Sequence, residues 1–146
     1  MSALTLAQAA IIVDKALEHG HSLKLKPLTV AVLDAGGHLV AFKREDGSGI
    51  LRPQIAEGKA WGSLGMGFGG REFARRAQAG GGLFLNALMQ ASNGRIMPVP
   101  GGVLVRSGGE IIGSVGISGD VSENDEACAV HGIEAAGLTP DTGVSG

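Results

Sequence analysis

The chain has few of the residues that build disulfide-bonded, aromatic or membrane-spanning structures. Among 146 residues there is one cysteine, Cys128, so no disulfide can form within the chain. Four Phe, one Trp and no Tyr leave little aromatic surface for the base-stacking platforms of nucleic-acid binders. No apolar run reaches the 18 or so residues of a membrane-spanning helix. We therefore expect neither a nucleic acid nor a membrane as partner.

The charge is almost balanced, with 12 basic and 14 acidic residues and a formal net charge of −2. Nucleic-acid binding usually requires a basic patch or stripe, and this balance provides no such signal. The first residues, Met1–Leu4, show neither the basic segment nor the long apolar core of a secretory signal. A cytoplasmic protein is the simplest expectation. A chain of this length can also bury enough surface to fold as one domain without disulfides or metal.

Glycine, by contrast, is abundant. There are 26 glycines, well above the usual share of about 7%. Two Gly-Gly pairs, Gly36–Gly37 and Gly108–Gly109, each separate two β-type apolar runs. Because glycine takes a positive φ without a steric penalty, each pair predicts a β-hairpin. The two hairpins need a common sheet, and that sheet needs helices to cover it.

Helical patterns surround the two hairpins. A capping-box pattern at Thr5 and Gln8 opens the first helix, and Pro53 suits the first turn of another. The order α-β-β-α-α-α-β-β-α predicts an α+β fold: a single antiparallel sheet of about five strands, flanked by helices. The segment Ile96–Val99 is the candidate fifth strand. We expect one domain over residues 1–138 and a flexible tail over residues 139–146. The predicted helices cover residues 6–19, 53–64, 71–78, 83–91 and 123–136.

A first candidate site lies in the segment from Asp34 to His38. One interpretation is turn chemistry, in which Asp34 accepts hydrogen bonds from turn amides. The other is a ligand site, in which the bare backbone of Gly36 and Gly37 allows close approach and His38 acts as acid, base or ligand near neutral pH. The sequence leaves both open.

Charged residues follow the second predicted strand. Arg44 and Arg52 could hold a carboxylate, because a planar guanidinium offers paired donors. Asp46 lies between them, and Lys59 follows about six residues into the helix that starts near Pro53. A solvated loop with surface ion pairs explains the same residues.

Two further segments carry residues capable of chemistry. Four carboxylates lie between Asp120 and Glu126, where Ser122 and Asp125 fit a capping box. The alternative is that Asp125 or Glu126 acts as a general base or binds a hard cation. His19 and His21 end the first helix, where a histidine favours the helix dipole; a haem axial ligand is the other interpretation of His21.

The glycines of the segment Gly65–Gly70 match the G-x-G-x-x-G pattern of dinucleotide-binding proteins. That motif requires a preceding strand and an acidic residue about 20 positions later. A helical pattern precedes it here, and no acid lies near position 90. We therefore interpret this segment as a connection between helices.

Together, these segments resemble the GlcG/HbpS family, which includes the C-terminal domain of PduO-type proteins. The resemblance spans roughly residues 4–138. It rests on the segments Val32–Phe42, Arg44–Gly47, Gly101–Val103, Gly113–Gly119 and Asn124–Ala127. It implies a profilin-like α-β sandwich, homo-oligomers, haem or corrinoid-related binding in some members, and a setting in small-molecule catabolism.

Three hypotheses for function remain open. The first is a small-ligand-binding module, with haem or a related tetrapyrrole held by His38 or His21 and by backbone at Gly36–Gly37 and Gly101–Gly102. The second is a cofactor-independent lyase, isomerase or dehydratase acting on a small oxygenated acid. In that enzyme, Arg44 or Arg52 would hold the carboxylate, and His38, Asp46 or Glu126 would act as acid or base. The third is an assembly protein whose glycine-rich surfaces make ring contacts.

Overall fold

A computed structural model describes residues 3–143, and it contains five helices and five strands within that range. The sheet is antiparallel throughout, with the strand order β2-β1-β4-β3-β5. Both predicted hairpins form, and the α+β fold class is confirmed. The elements are α1 (Leu6–Ser22), β1 (Thr29–Asp34), β2 (Leu39–Arg44), α2 (Arg52–Met66), α3 (Arg71–Gln78), α4 (Gly82–Ala91), β3 (Gly102–Ser107), β4 (Glu110–Ser118), α5 (Ser122–Ala135) and β5 (Thr139–Asp141).

The fifth strand is not where the sequence predicts it. Residues 96–99 form no strand, because Pro98 and Pro100 remove the N–H groups that a sheet ladder needs. The strand is instead β5, which pairs with β3 through Leu104 opposite Asp141. Arg106 Nε donates to Asp141 Oδ2 at 2.8 Å across this pairing. The flexible tail predicted from residue 139 therefore begins as a strand; residues 144–146 lie outside the described range.

Helices cover both faces of the sheet. α1 and α5 pack together on one face, over strand residues such as Val30, Val115 and Ile117. α2 crosses the other face, where Ser114 Oγ donates to the Ala60 carbonyl at 2.8 Å. The capping box predicted at the start of α1 is confirmed by its two reciprocal hydrogen bonds. None of the helices among residues 3–143 is long and apolar enough to span a bilayer.

Several glycines bring α2 into backbone contact with the sheet. A Cβ at Gly116 of β4 would lie 1.9 Å from the Ala56 carbonyl oxygen, and one at Gly102 of β3 would lie 2.4 Å from the Lys59 carbonyl oxygen. Only a residue without Cβ fits at such distances. Part of the glycine excess thus serves helix-on-sheet packing.

We expect Gly116→Ala to lower the free energy of unfolding by about 1–3 kcal/mol, because the new methyl group forces α2 away from β4. The matched control is Gly65→Ala, within α2, where an added Cβ would meet nothing within 4 Å. That change should stabilise the helix by about 0.5–1 kcal/mol. Urea unfolding measures both. Equal effects of the two substitutions would contradict this account of the packing.

The segment after α2 connects two helices, as predicted. α2 ends at Met66, and Gly67 caps it in the left-handed conformation with φ +75°. Beyond this turn, α3 and α4 form a second small core around Phe73, Leu85 and Ile96. The G-x-G-x-x-G pattern is thus a helix connection, and no strand precedes it.

Candidate functional site

A groove lies between the C-terminal end of α1 and the end of β2, with a volume of about 510 Å³. α1 ends at Ser22, and Lys24, with φ +57°, helps turn the chain back toward β1. The loop after Arg44 closes the other side of the groove, through Glu45 and Asp46. The residues that line the groove are Leu17, Gly20, His21, Leu25, Pro27, Lys43, Arg44, Glu45 and Asp46.

His21 lies at the rim of this groove and contacts Glu45. Its Nε2 is 2.5 Å from Glu45 Oε2. The other oxygen of Glu45 accepts from the backbone N–H of Leu28 at 2.7 Å. The His21 side chain is 74% exposed, whereas that of Glu45 is 17% exposed. An anchored carboxylate therefore holds an accessible imidazole.

The walls of the groove differ in character. Leu17 and Leu25 give it an apolar side. On the β2 side, Lys43 Nζ pairs with Asp14 at 2.8 Å, and Arg44 Nη1 donates to the Ser48 carbonyl at 2.6 Å. The groove thus combines an imidazole, an apolar wall, two cationic side chains and the carboxylates of Glu45 and Asp46.

A second cavity, of about 400 Å³, lies at the opposite end of the first hairpin. β1 ends at Asp34 opposite Gly113, and β4 begins at Glu110, so both hairpin turns lie at this end of the sheet. The cavity is lined by Ala3, Leu4, Asp34, Ala35, Gly36, His38, Glu110, Ile111 and Ile112.

Asp34 organises the first of these turns. Its Oδ1 accepts from Gly36 N at 2.9 Å, His38 N at 3.0 Å and His38 Nδ1 at 3.0 Å. Burial acts to raise the pKa of Asp34, but the hydrogen bonds from His38 and Gly36 outweigh it and hold the pKa below its usual range. The turn thus has the hydrogen bonds to Asp34 that the turn interpretation predicts. It also has the exposed His38 that the ligand interpretation requires.

Two further predicted residues, Arg52 and Lys59, belong to α2. Lys59 Nζ donates to the Ile117 carbonyl at 2.8 Å and to Asp125 Oδ2 at 3.3 Å, and both side chains of this ion pair are at least 96% buried. Arg52 Nη1 donates to Ser118 Oγ at 3.0 Å. Burial lowers the pKa of Lys59 and raises that of Asp125, even though each charge opposes the shift of the other.

One prediction about this region is wrong. The capping box expected at Ser122 is absent: Val121 is the N-cap and makes no side-chain cap bond. Asp125 instead accepts from the backbone N–H of Asp120 at 3.0 Å. Gly101 and Gly102 are not among the residues that line the two cavities described above, and a Cβ at either would meet Lys59; their role as ligand-binding backbone stays a prediction.

The three residues predicted to act as acids or bases do not share a cleft. Arg44, two residues before Asp46, pairs with Thr29, whereas the residue after His38 pairs with Leu33 at the other end of the hairpin. Five residues of strand separate these ends by roughly 17 Å. Glu126 is paired with Arg71 at 2.6 Å and lines neither of the two cavities. His38 is therefore far from Asp46, whereas Arg44 and Asp46 line the same groove; an enzyme that uses this pair stays a prediction.

The structure also identifies partners that the sequence did not suggest. Glu45 anchors His21 from 24 residues away, and Arg71 pairs with Glu126 from 55 residues away. Such contacts leave no periodic or local signal in the sequence. The single tryptophan, Trp61, lies beside Gly37. The Arg95 guanidinium carbon lies over the Trp61 ring, 4.3 Å from the ring centroid.

The sheet order and the covering helices define a small α+β domain, and comparisons identify its family. The model of the family described as haem degrading protein HbpS-like matches residues 4–134. An uncharacterized 15.0 kDa protein in the dhaT-dhaS intergenic region of Citrobacter freundii is 30% identical over 108 residues, which cover 74% of this chain and 75% of the relative. The chain belongs to the HbpS-like family.

Solved structures agree with this assignment. A crystal structure of a PduOC:heme complex shares 26% identity with a TM-score of 0.85, covering 98% of this chain and all of the other. The Klebsiella pneumoniae protein ORFY shares 25% identity with a TM-score of 0.85, over 94% and 92% of the two chains. HbpS shares 25% identity with a TM-score of 0.76, over 92% and 90%. The resemblance noted in the sequence is confirmed.

Proposed function

We propose that this protein binds haem or a related tetrapyrrole in the groove between α1 and β2. The observation that carries the proposal is the accessible His21 at the rim of a groove that also offers an apolar wall and cationic side chains. Support comes from the family and from the neighbour whose structure is a heme complex.

The residues of the groove fit such a ligand. Leu17 and Leu25 would pack against the macrocycle, and Lys43 and Arg44 would attract its carboxylates. His21 would supply the axial nitrogen, although its Nε2 first has to exchange its contact with Glu45. Haem bound in this position supplies a redox-active iron.

The second cavity fits haem less well. It contains His38, but nothing in its lining offsets the carboxylates of Asp34 and Glu110, whereas Lys43 and Arg44 offset those of Glu45 and Asp46 in the α1–β2 groove. These charges would repel the propionates of haem. His21 is therefore the proposed ligand, and His38 is the comparison.

A haem titration followed in the Soret band tests the proposal. We expect a saturable spectral shift with one haem per chain. A shift that does not saturate, or one that persists unchanged when both His21 and His38 are replaced by Ala, would contradict it.

We further propose that the chain self-associates. Leu83 of α4 is 85% exposed, and Phe84 and Met89 on the same helix are also exposed. Exposed apolar side chains on one helix offer a contact surface to a second copy. Light scattering should give a mass that is a multiple of 14.7 kDa, and Leu83→Glu should reduce it. A wild-type mass of one chain at micromolar concentration would contradict this proposal.

A setting in small-molecule catabolism is also part of the proposal. Its support is the name of the Citrobacter freundii relative, which places that protein between dhaT and dhaS. The genes that flank this chain provide the test: neighbours encoding catabolic enzymes are expected, and neighbours of unrelated function would count against it.

A further inference from the structure

The cavity between the two hairpin turns is lined by polar side chains of its own, and none of them lines the α1–β2 groove. The Asp34 carboxylate, as an anion, can only accept, so His38 Nδ1 must carry the proton of their hydrogen bond. In the neutral imidazole His38 Nε2 is then the acceptor, on a side chain that is 78% exposed. This arrangement gives the cavity one oriented acceptor that is fixed by its neighbour.

The charges around the cavity select the kind of ligand. Its lining contains two carboxylates, Asp34 and Glu110, and no Lys or Arg. Glu110 makes no ion pair with any side chain in the described range. A carboxylate or phosphate ligand would be repelled, whereas a cation would be attracted.

The remaining wall is apolar. Leu4, Ile111 and Ile112 provide most of it, and Leu4 and Ile112 are themselves buried in the main core. A volume of about 400 Å³ is within the range of small-molecule sites. A ligand that fits must therefore combine an apolar body with a positively charged hydrogen-bond donor.

We propose that this cavity binds a small primary amine with an apolar body, in its ammonium form. The ammonium donates to His38 Nε2 and pairs with the Glu110 carboxylate, while the apolar body contacts Leu4, Ile111 and Ile112. This site is independent of haem and would function whether or not the α1–β2 groove is occupied.

A titration with three ring-matched probes tests the proposal: benzylamine, benzyl alcohol and benzoate. Methyl resonances of Leu4, Ile111 and Ile112 report binding in NMR spectra of the full chain without haem. We expect saturable shifts with benzylamine, weaker binding of benzyl alcohol and none of benzoate. The absence of saturable shifts with benzylamine, or benzoate binding as tightly as benzylamine, would overturn it.

Two variants separate the amine site from a simple apolar pocket. Glu110→Gln should lower the affinity for benzylamine about two- to fivefold, as expected for an exposed ion pair, and leave the affinity for benzyl alcohol unchanged. His38→Ala should lower the affinity for benzylamine about two- to tenfold. Glu134→Gln, which removes an exposed carboxylate on α5, is the matched control and should have no effect. If Glu110→Gln leaves benzylamine affinity unchanged, the charge-based assignment is wrong.

Discussion

Replacing Lys59 with Met is expected to lower the free energy of unfolding by about 3–5 kcal/mol. Lys59 of α2 and Asp125 of α5 form an ion pair that is almost fully buried. Removing one partner leaves the other charge buried without compensation. The free-energy cost of that unpaired charge is far larger than the net stability that the intact pair provides. Urea unfolding followed by the fluorescence of Trp61 measures the loss.

The double substitution Lys59→Met with Asp125→Asn is the control. Asn still offers an oxygen to the backbone N–H of Asp120, which Asp125 accepts in the native protein. With neither charge left, most of the lost stability should return. A double variant as unstable as Lys59→Met alone would show that packing, and not the unpaired charge, causes the loss.

The loss should also depend on pH in a defined direction. Burial raises the pKa of Asp125 in the folded protein, and Lys59 opposes that rise, so its removal raises the pKa further. A group with a raised pKa binds its proton more tightly in the folded state, so stability falls as pH rises from the usual Asp range through the folded pKa. The deficit of Lys59→Met relative to wild type should therefore be small in acid and largest near neutral pH. A deficit that does not change with pH would contradict this mechanism.

The hairpins and most helices could be predicted because their signals are local. Gly36–Gly37 and Gly108–Gly109 mark turns between β-type runs, and Thr5 with Gln8 marks the start of α1; each signal lies within a few residues. β5 could not be found in this way. Its three residues are held by pairing with β3 and by the contact of Arg106 with Asp141, 35 residues apart.

The candidate site was predictable only in part, and for a similar reason. His21, Arg44 and Asp46 were proposed from their chemistry, and the structure brings them into one groove. Glu45 was not proposed, because its contact with His21 arises only when α1 packs along β2. Gly101, which the sequence suggests as ligand-binding backbone, lies against Lys59. Its role toward a ligand stays a prediction, because a glycine needed for packing looks the same in sequence as one needed for a ligand.

The second large effect is expected on haem binding in the α1–β2 groove. His21→Ala should weaken haem binding by at least about 10–100-fold, the range known for changes even in groups that only support a metal ligand. The Soret titration described above measures it. His38→Ala is the matched control, because it removes an imidazole of similar exposure from the far end of the hairpin. Equal losses in both variants would contradict the assignment of His21.

Glu45→Gln tests the same site with the opposite sign. In the native protein Glu45 holds His21 Nε2, so His21 would have to give up this contact before that atom could hold a haem iron. Gln keeps an oxygen for the Leu28 N–H and weakens the hold on the imidazole. Because the His21 side chain is largely exposed, the gain is that of a surface pair, roughly two- to fivefold in haem affinity. Weaker binding in Glu45→Gln would instead indicate that the carboxylate orients the axial imidazole, because a group that only competes with iron cannot lower affinity when it is removed.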